Sequence, residues 1–171
     1  MKIESTAFTA TDLQKFFDEL LDHERIDLAD RLESASERLS RLASRVEAGH
    51  GDDGWSAHEV LAHIAVLSKF YGVLVHKISS GKMTDLDLLT NVNLRDVMGE
   101  QMAAIEPSEL LRMALEDHAR TVRLLRTMDA DSLRRKAGLE NGDSVSAEEM
   151  ARLPLINHLE LHLDQLERSL G

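Results

Sequence analysis

Cysteine is absent from this sequence of 171 residues, proline occurs only twice, and aromatic residues make up only 4% of the chain. Without cysteine the chain forms no disulfide, no thiolate zinc site and no cysteine-ligated iron–sulfur cluster, and it has no cysteine nucleophile. The scarcity of proline, aromatic residues and β-branched runs argues against a β-sandwich or a β-barrel. Any thiol chemistry of this protein therefore needs a thiol from outside the chain.

Positive charge is also scarce, because 20 basic residues are outnumbered by 31 acidic ones and the formal net charge is −11. This charge leaves no electrostatic footprint for nucleic acid or anionic lipid, and the short basic run at residues 134–136 is better explained as a solvated connector. The first residues lack the basic and apolar regions of a secretory signal, and no apolar run approaches the roughly 20 residues of a membrane span. We therefore expect a cytoplasmic protein that binds neither nucleic acid nor membranes.

Apolar residues recur at helical spacing along most of the chain, and their 43% share supports a buried core. The spacing predicts four main helices, at residues 11–48, 57–78, 107–128 and 147–170, of which the first is either continuous or bent. The connectors at residues 82–106 and 129–143 are long enough for neighbouring helices to run parallel. At roughly 150 residues per domain, we expect residues 1–171 to form one all-α domain. The expected fold is a four-helix bundle with long connections that can contain short extra helices, one of them near residues 95–104.

Local signals mark where one of these helices starts and where another is interrupted. Ser56 and Glu59 have the spacing of a capping box at the start of the second helix. Trp55 and Val60 fit a hydrophobic staple around the same cap. Pro154 lies early in the last helix and predicts a kink or a restart there.

His158 and His162 lie four residues apart on the last predicted helix. This spacing places the two imidazoles on one face, about 6 Å apart along the helix axis. Both can then reach one metal ion at about 2.0–2.1 Å. Gln165 lies on the same stripe and is placed to orient a ligand or a bound water. A polar contact between helices is the alternative explanation of the pair.

A third metal ligand has to come from another helix, and His63 is the best candidate because it lies two turns into the second predicted helix. Glu59 lies one turn earlier on the same face. A capping box explains Glu59 first, and a carboxylate that hydrogen-bonds to a metal ligand is the alternative. The other histidines, at positions 23, 50, 58, 76 and 118, are expected to be solvated or locally hydrogen-bonded, because a metal site needs clustered ligands.

Two spaced motifs carry a family resemblance: Trp55-Ser56-x-x-Glu59-x-x-x-His63 and His158-x-x-x-His162-x-x-Gln165. Together they resemble the motifs of the DinB superfamily of four-helix bundles, which is grouped with bacillithiol- and mycothiol-dependent transferases. The similarity covers most of the chain. The resemblance implies up-down-down-up connectivity, often a homodimer, and a divalent metal bound by His63, His158 and His162. Asp164 departs from the family, where glycine usually precedes the glutamine, and this departure leaves open how the last helix packs or forms a dimer contact.

Three neutral imidazoles leave an open coordination position on a metal ion, as in catalytic rather than structural zinc sites. Nitrogen ligands favour zinc or nickel here, with iron, manganese or copper as alternatives. Such an ion lowers the pKa of bound water to about 7, or binds and deprotonates an incoming thiol. No convincing general base accompanies the three histidines, since Glu59 is the only carboxylate on the stripe of His63 and Gln165 does not exchange protons.

These residues predict a metal-dependent enzyme that transfers or isomerises adducts of a low-molecular-weight thiol, with a small molecule as its substrate. A hydrolase that uses metal-bound water is the first alternative. A metal-binding bundle without turnover, or a structural bundle whose histidines only pack, is the second. Catalytic groups beyond the metal ligands stay open, with Glu59 and Gln165 as supporting candidates.

Overall fold

The computed structural model describes residues 9–49, 55–87, 101–102 and 104–171. Three long helices come first in the chain: α1 is Ala10–Ala43, α2 is Ala57–Ser79 and α3 is Pro107–Thr127. The short helix α4, Ala130–Arg134, follows α3. The last helical region consists of α5, Ala147–Met150, a π-helical segment, Ala151–Asn157, and α6, His158–Leu170. These elements confirm the predicted helical bundle, while the short helix predicted near residues 95–104 falls largely outside the described residues.

α1 is one continuous helix of 34 residues, which settles the choice between a continuous and a bent helix. Its sequence contains neither glycine nor proline, so no residue forces a break. Thr9 caps its start, because the Thr9 hydroxyl accepts from the Asp12 N–H at 3.1 Å and the Asp12 carboxylate accepts from the Thr9 N–H at 2.8 Å. The helix ends at Ala43, several residues before the predicted end at residue 48.

α1 and α3 run antiparallel, as the order of their contacts shows. Arg25, in the first half of α1, donates to the carbonyl of Leu125 near the end of α3 at 3.2 Å. Ser36, further along α1, lies 2.8 Å from the Nδ1 of His118, which is earlier in α3. The contact positions therefore rise along one helix while they fall along the other.

α2 and α3 run parallel. The Ser68 hydroxyl of α2 lies 2.6 Å from the Nε2 of His118 in α3. One turn further along both helices, Gly72 faces Thr121 so closely that an added Cβ would lie 2.7 Å from the Thr121 hydroxyl oxygen. Parallel neighbours need a long connection, and the segment between α2 and α3 provides one.

α1 and α6 also run parallel, and a ladder of ion pairs joins them. Arg31 contacts Glu160 at 2.7 Å, and Arg38, about two turns later, contacts Glu167 at 2.5 Å. With α1 antiparallel to α3, α2 parallel to α3 and α6 parallel to α1, the helices follow the expected up-down-down-up order.

Asp164, the departure from the family pattern, belongs to this ladder. One carboxylate oxygen of Asp164 accepts a hydrogen bond from the Arg38 guanidinium at 2.6 Å. The side chain is half exposed, so the carboxylate needs no space in the core. Asp164 therefore adds a contact between α1 and α6 and does not disturb the packing of the last helix.

The last helical region passes through Pro154 without a restart, and the irregularity expected there is a change of helical winding, while the kink stays a prediction. Residues Ala151–Asn157 are wound as a π-helix around Pro154. Proline offers no N–H, and its ring clashes with the carbonyl four residues earlier in a regular α-helix. The wider π-helical turn accommodates the ring, and the chain returns to α-helical geometry at His158.

A small three-stranded sheet, which was not predicted, joins the two long connectors. β1 is Asp85–Leu86, β2 is Lys136–Leu139 and β3 is Ser144–Ser146; β1 pairs parallel with β2, and β2 pairs antiparallel with β3. Gly142 has a φ of 88° in the turn between β2 and β3, a conformation that favours glycine. Strands this short show no alternation of apolar and polar residues, so the sequence indicates only connectors.

The core lies between the long helices and the last helical region. Its fully buried side chains include Leu28, Leu32, Leu61, Ile64, Leu110, Leu125 and Leu163. Among the described helices, α2 is the one that is long and apolar enough to cross a membrane, and most of its apolar stretch is buried in the bundle, as in the core helix of a soluble protein. α2 packs against α3, the π-helical segment and α6.

Candidate metal centre

The structure brings His63, His158 and His162 together. One ring nitrogen from each lies within 4.8 Å of the other two, and all three side chains are partly buried. The ring centroids of His63 and His162 are 4.6 Å apart, and those of His63 and His158 are 5.6 Å apart. The two helices that supply them are neighbours in the bundle, although the residues are about a hundred positions apart in the sequence.

His158 and His162 approach each other directly. Their Nε2 atoms are 2.9 Å apart and their ring centroids 4.6 Å apart, as expected for adjacent turns of α6. Two neutral imidazoles at this distance need a proton on one of the two nitrogens, because two lone pairs repel each other. A cation that accepts both lone pairs satisfies the same geometry.

Gln165 sets the tautomer of His162. The Nδ1–H of His162 donates to the Oε1 of Gln165 at 3.0 Å, which leaves the lone pair on Nε2, the nitrogen that faces His158. Burial lowers the pKa of His162, and the bond to Gln165 opposes this shift. The net shift is downward, so the imidazole is neutral near pH 7, and its tautomer presents Nε2 as a ligand atom. Gln165 therefore lies where the sequence predicted a group that orients a ligand.

The spacing of the three nitrogens fits one small cation. Ligands at 2.0–2.1 Å in a tetrahedral site lie about 3.3 Å from one another. The observed spacing spans this value, from 2.9 Å between the two Nε2 atoms to at most 4.8 Å for the cluster as a whole. Small rotations of the rings bring all three nitrogens into reach of one ion, so the residues fit a divalent metal.

Glu59 takes part in the predicted capping box. The Ser56 N–H donates to the Glu59 carboxylate at 2.8 Å, and the Glu59 N–H donates to the Ser56 hydroxyl at 3.1 Å. The Ser56 hydroxyl also donates to the carbonyl of Gly49 at 2.8 Å. This cap fixes the start of α2, and with it the position of His63 two turns later.

Trp55 is the residue of the site that the sequence analysis missed. The sequence predicts that Trp55 packs against Val60 in a hydrophobic staple. The structure places its indole over the histidines, with ring centroids 4.8 Å from His63 and 6.2 Å from His162. The indole is stacked on His162 at an interplanar angle of 20°. The sequence does place Trp55 eight residues, or about two helical turns, before His63. The capping box between the two residues offered another explanation of this segment, so the link between Trp55 and His63 was not recognised.

The remaining described histidines lie outside the cluster. His23 and His76 are exposed, as expected of solvated side chains. His58 is buried; its Nδ1 accepts from the Gly49 N–H at 3.2 Å and its Nε2–H donates to the Ile105 carbonyl at 2.7 Å. His118 is buried between serines of α1 and α2, so its hydrogen bonds cross the bundle and are not local. His50 lies outside the described residues.

Comparisons with known proteins find solved structures that resemble the fold of this chain. No family model matches the sequence, and no curated protein matches it. A crystal structure of the mycothiol-dependent maleylpyruvate isomerase is similar at a TM-score of 0.66 and 21% identity, over 88% of this chain and 62% of that chain. A mutant form of the same isomerase gives a TM-score of 0.66 at 20% identity. This chain thus spans less than two thirds of the length of the isomerase.

A second similar protein matches nearly end to end. It is YfiT from Bacillus subtilis, a probable metal-dependent hydrolase with an unusual four-helix bundle topology. The TM-score is 0.55 at 17% identity, over 99% of this chain and 94% of that chain. At these identities the likeness is one of fold. Together with the up-down-down-up order of the helices, it shows that this chain has a four-helix bundle fold like that of these two proteins.

Proposed function

We propose that this protein binds a divalent metal ion through His63, His158 and His162 and uses it to transfer or isomerise adducts of a low-molecular-weight thiol. The convergence of three imidazoles from two neighbouring helices carries the proposal. The mycothiol dependence of the isomerase with the same fold supports a thiol as the cosubstrate. The lack of cysteine in this chain is consistent with it, because the thiol then comes from outside.

Some residues of the site bind the metal ion, and another orients one of these ligands. His63, His158 and His162 hold the ion with neutral imidazoles, and zinc or nickel suits such ligands, with iron, manganese or copper as alternatives. Gln165 keeps the proton of His162 on Nδ1 and so keeps Nε2 free to bind. When bound, the ion supplies Lewis-acid activation of a thiol or of water at a position that no histidine occupies.

A metal-dependent hydrolase is the second candidate. YfiT, a probable metal-dependent hydrolase, matches this chain over nearly its whole length, whereas the isomerase extends well beyond it. The same three histidines serve both candidates, so the site itself does not separate them. The difference lies in the group that attacks the substrate, a thiol cosubstrate or water. The homodimer implied by the family resemblance stays a prediction under either candidate.

Metal analysis of purified protein tests the three-histidine site. After loading with zinc and removal of free ion, we expect about one equivalent in the wild type and a loss of most of it in His158→Ala, because two imidazoles hold zinc far less tightly than three. His76→Ala is the matched control, since it removes an exposed histidine of α2 outside the cluster and is expected to retain the metal. Equal zinc content in the wild type and in His158→Ala would contradict the proposed site.

Activity assays then separate the two candidates. The zinc-loaded protein is incubated with an electrophile that accepts thiols, with and without a low-molecular-weight thiol, and separately with ester and amide substrates. Transfer that requires the thiol and disappears in His158→Ala supports the first proposal. Turnover of the ester or amide without a thiol supports the hydrolase, and metal binding without any turnover indicates a binding module.

A further inference from the structure

Trp55 contacts two of the three proposed metal ligands, and these two come from different helices. Its ring centroid is 4.8 Å from that of His63 in α2 and 6.2 Å from that of His162 in α6. The two contacts also differ in geometry, since the indole is tilted by 59° against His63 and stacked at 20° on His162. The indole therefore bridges the start of α2 and the first turns of α6 at the histidine cluster.

Burial in the core does not explain the position of this indole. Trp55 is 54% exposed, whereas Val60, its predicted staple partner, is fully buried. The backbone beside Trp55 is held instead by the cap of α2, because Ser56 bonds to Glu59 at 2.8 Å and to the Gly49 carbonyl at 2.8 Å. The cap thus fixes the backbone next to Trp55, and the indole lies against the rings of His63 and His162.

The position of His63 relative to His158 and His162 is the part of the cluster that a neighbouring ring can support. His158 and His162 lie on one helix, so the geometry of α6 already holds their Nε2 atoms 2.9 Å apart. His63 comes from α2, and its ligand nitrogen lies within 4.8 Å of the other two. The position of the His63 ring relative to the other two depends on side-chain rotation, and a partly buried imidazole that rotates away leaves the reach of a shared ion.

We infer that Trp55 is a positioning residue of the metal centre: its indole holds the rings of His63 and His162 in the arrangement in which the three ligand nitrogens converge. This inference rests on the proposed function, because it concerns the same three histidines. It also gives the motif Trp55-Ser56-x-x-Glu59-x-x-x-His63 one physical reading, in which the cap orients the indole and the indole orients the ligand.

Zinc affinities of Trp55 variants, measured by competition with a chelating dye, test the inference. We expect Trp55→Ala to bind zinc 10–100-fold more weakly than the wild type, the range typical when a group that supports metal ligands is removed. Trp55→Phe keeps an aromatic ring and is expected to restore the affinity to within about threefold. Phe16→Ala is the matched control, because it removes another aromatic side chain that is about half exposed, at 52%, and that lies on α1 outside the cluster.

The melting temperature of each variant is measured beside its zinc affinity. A purely structural role predicts that Trp55→Ala melts earlier and binds zinc normally once folded, whereas the inference predicts weaker binding by a folded protein. Trp55→Ala that binds zinc as tightly as the wild type overturns the inference and leaves the proposed function intact. A wild type that does not bind zinc fails the proposed function itself.

Fluorescence of the wild type gives a second test that needs no Trp55 variant. Trp55 is the one tryptophan of the chain, so all tryptophan emission reports on the cluster. We expect a saturable change of emission on zinc addition, with the same midpoint as the dye competition, and no change in His158→Ala. Emission that stays constant while the wild type binds zinc shows that the indole does not follow the ligand rings, and the inference is then wrong.

Discussion

His118 is a buried residue whose imidazole is neutral near pH 7, because burial lowers its pKa. Only 1% of it is exposed, and its two ring nitrogens lie 2.8 Å from the Ser36 hydroxyl and 2.6 Å from the Ser68 hydroxyl. Each serine also lies 2.7 Å from the carbonyl four residues earlier in its own helix. A neutral ring donates one hydrogen bond and accepts one, so one serine accepts from the ring while it donates to its carbonyl, and the other shares its single proton between its carbonyl and the ring. The network links α1, α3 and α2 without a buried charge.

The pH dependence of stability follows from this residue. Burial lowers the pKa of His118 from 6.5 to about 4. The unfolded chain therefore takes up the proton first as the pH falls, and stability that is fully present above pH 6.5 is lost between pH 6.5 and pH 4. The loss at pH 4.5 is about 2.5 kcal/mol for this residue, at 1.36 kcal/mol for each pKa unit. Urea unfolding at pH 7 and at pH 4.5 measures it.

The non-titrating variant His118→Gln supplies the comparison for the pH effect. Its stability is expected to fall by about 2.5 kcal/mol less than that of the wild type between the two pH values, since the carboxylates that also titrate are common to both proteins. His76→Gln, which changes an exposed histidine, should keep the wild-type pH dependence. If His118→Gln loses as much stability in acid as the wild type, His118 is not the source of the effect.

At the scale of single residues, the sequence locates what depends on local spacing and misses what depends on contacts between helices. His158, His162 and Gln165 follow from one helix and its period. His63 is a candidate from its place in the second predicted helix, and the family motif strengthens it, because nothing in the period of α2 says that this face meets α6. His118, which has charged neighbours in the sequence, resembles a surface residue until α1 and α2 are packed against α3.

At the scale of helices and strands, the long amphipathic helices could be predicted and the short elements could not. α1, α2 and α3 each contain many turns with a consistent apolar stripe, and caps or proline mark where two of them start. The strands contain two to four residues and depend on pairing between remote connectors. The π-helical passage through Pro154 depends on how α2 and the rest of the bundle hold the last helical region, so the sequence indicates only an irregularity.

The ladder between α1 and α6 predicts the effect of glycine at position 164, the residue usual there in the family that the motifs resemble. Asp164→Gly loses the bond to Arg38 and adds a helix glycine, and we expect it to destabilise the protein by about 1–1.5 kcal/mol. Asp164→Ala loses the same bond but gains helix propensity, so its stability should stay within about 0.5 kcal/mol of the wild type. Urea unfolding compares the three proteins, and zinc content should be equal in all of them.

The two Asp164 variants separate the ion pair from the helix backbone. A large loss in Asp164→Ala contradicts the small contribution assigned to this half-exposed pair. Lower zinc content in Asp164→Ala would instead show that the ladder helps to position His158 and His162. The first result revises the energy assigned to the ion pair, and the second revises the expectation of equal zinc content.

At the scale of the whole molecule, the proposed metal site joins two helices that are remote in sequence. α2 and α6 are neighbours because they pack directly against each other in the bundle. The ligands at position 63 and at positions 158 and 162 therefore close a loop of almost one hundred residues. Such a loop is open in the unfolded chain, so the complete site exists only in the folded bundle.

Metal binding should therefore stabilise the fold as a whole, and removal of the metal should destabilise it. A ligand that binds only the folded state adds about 2.7 kcal/mol at a free concentration of 100 times its Kd. We expect the thermal unfolding midpoint of the wild type to rise with zinc concentration and to return to its starting value when EDTA is added. In His158→Ala the midpoint should barely respond over the same range, because the remaining imidazoles bind zinc weakly in the folded state as in the unfolded chain. An equal rise in both proteins points to zinc bound elsewhere on this acidic protein, whose net charge is −11. Only a rise that is confined to proteins with the intact cluster assigns the stabilisation to the link between α2 and α6.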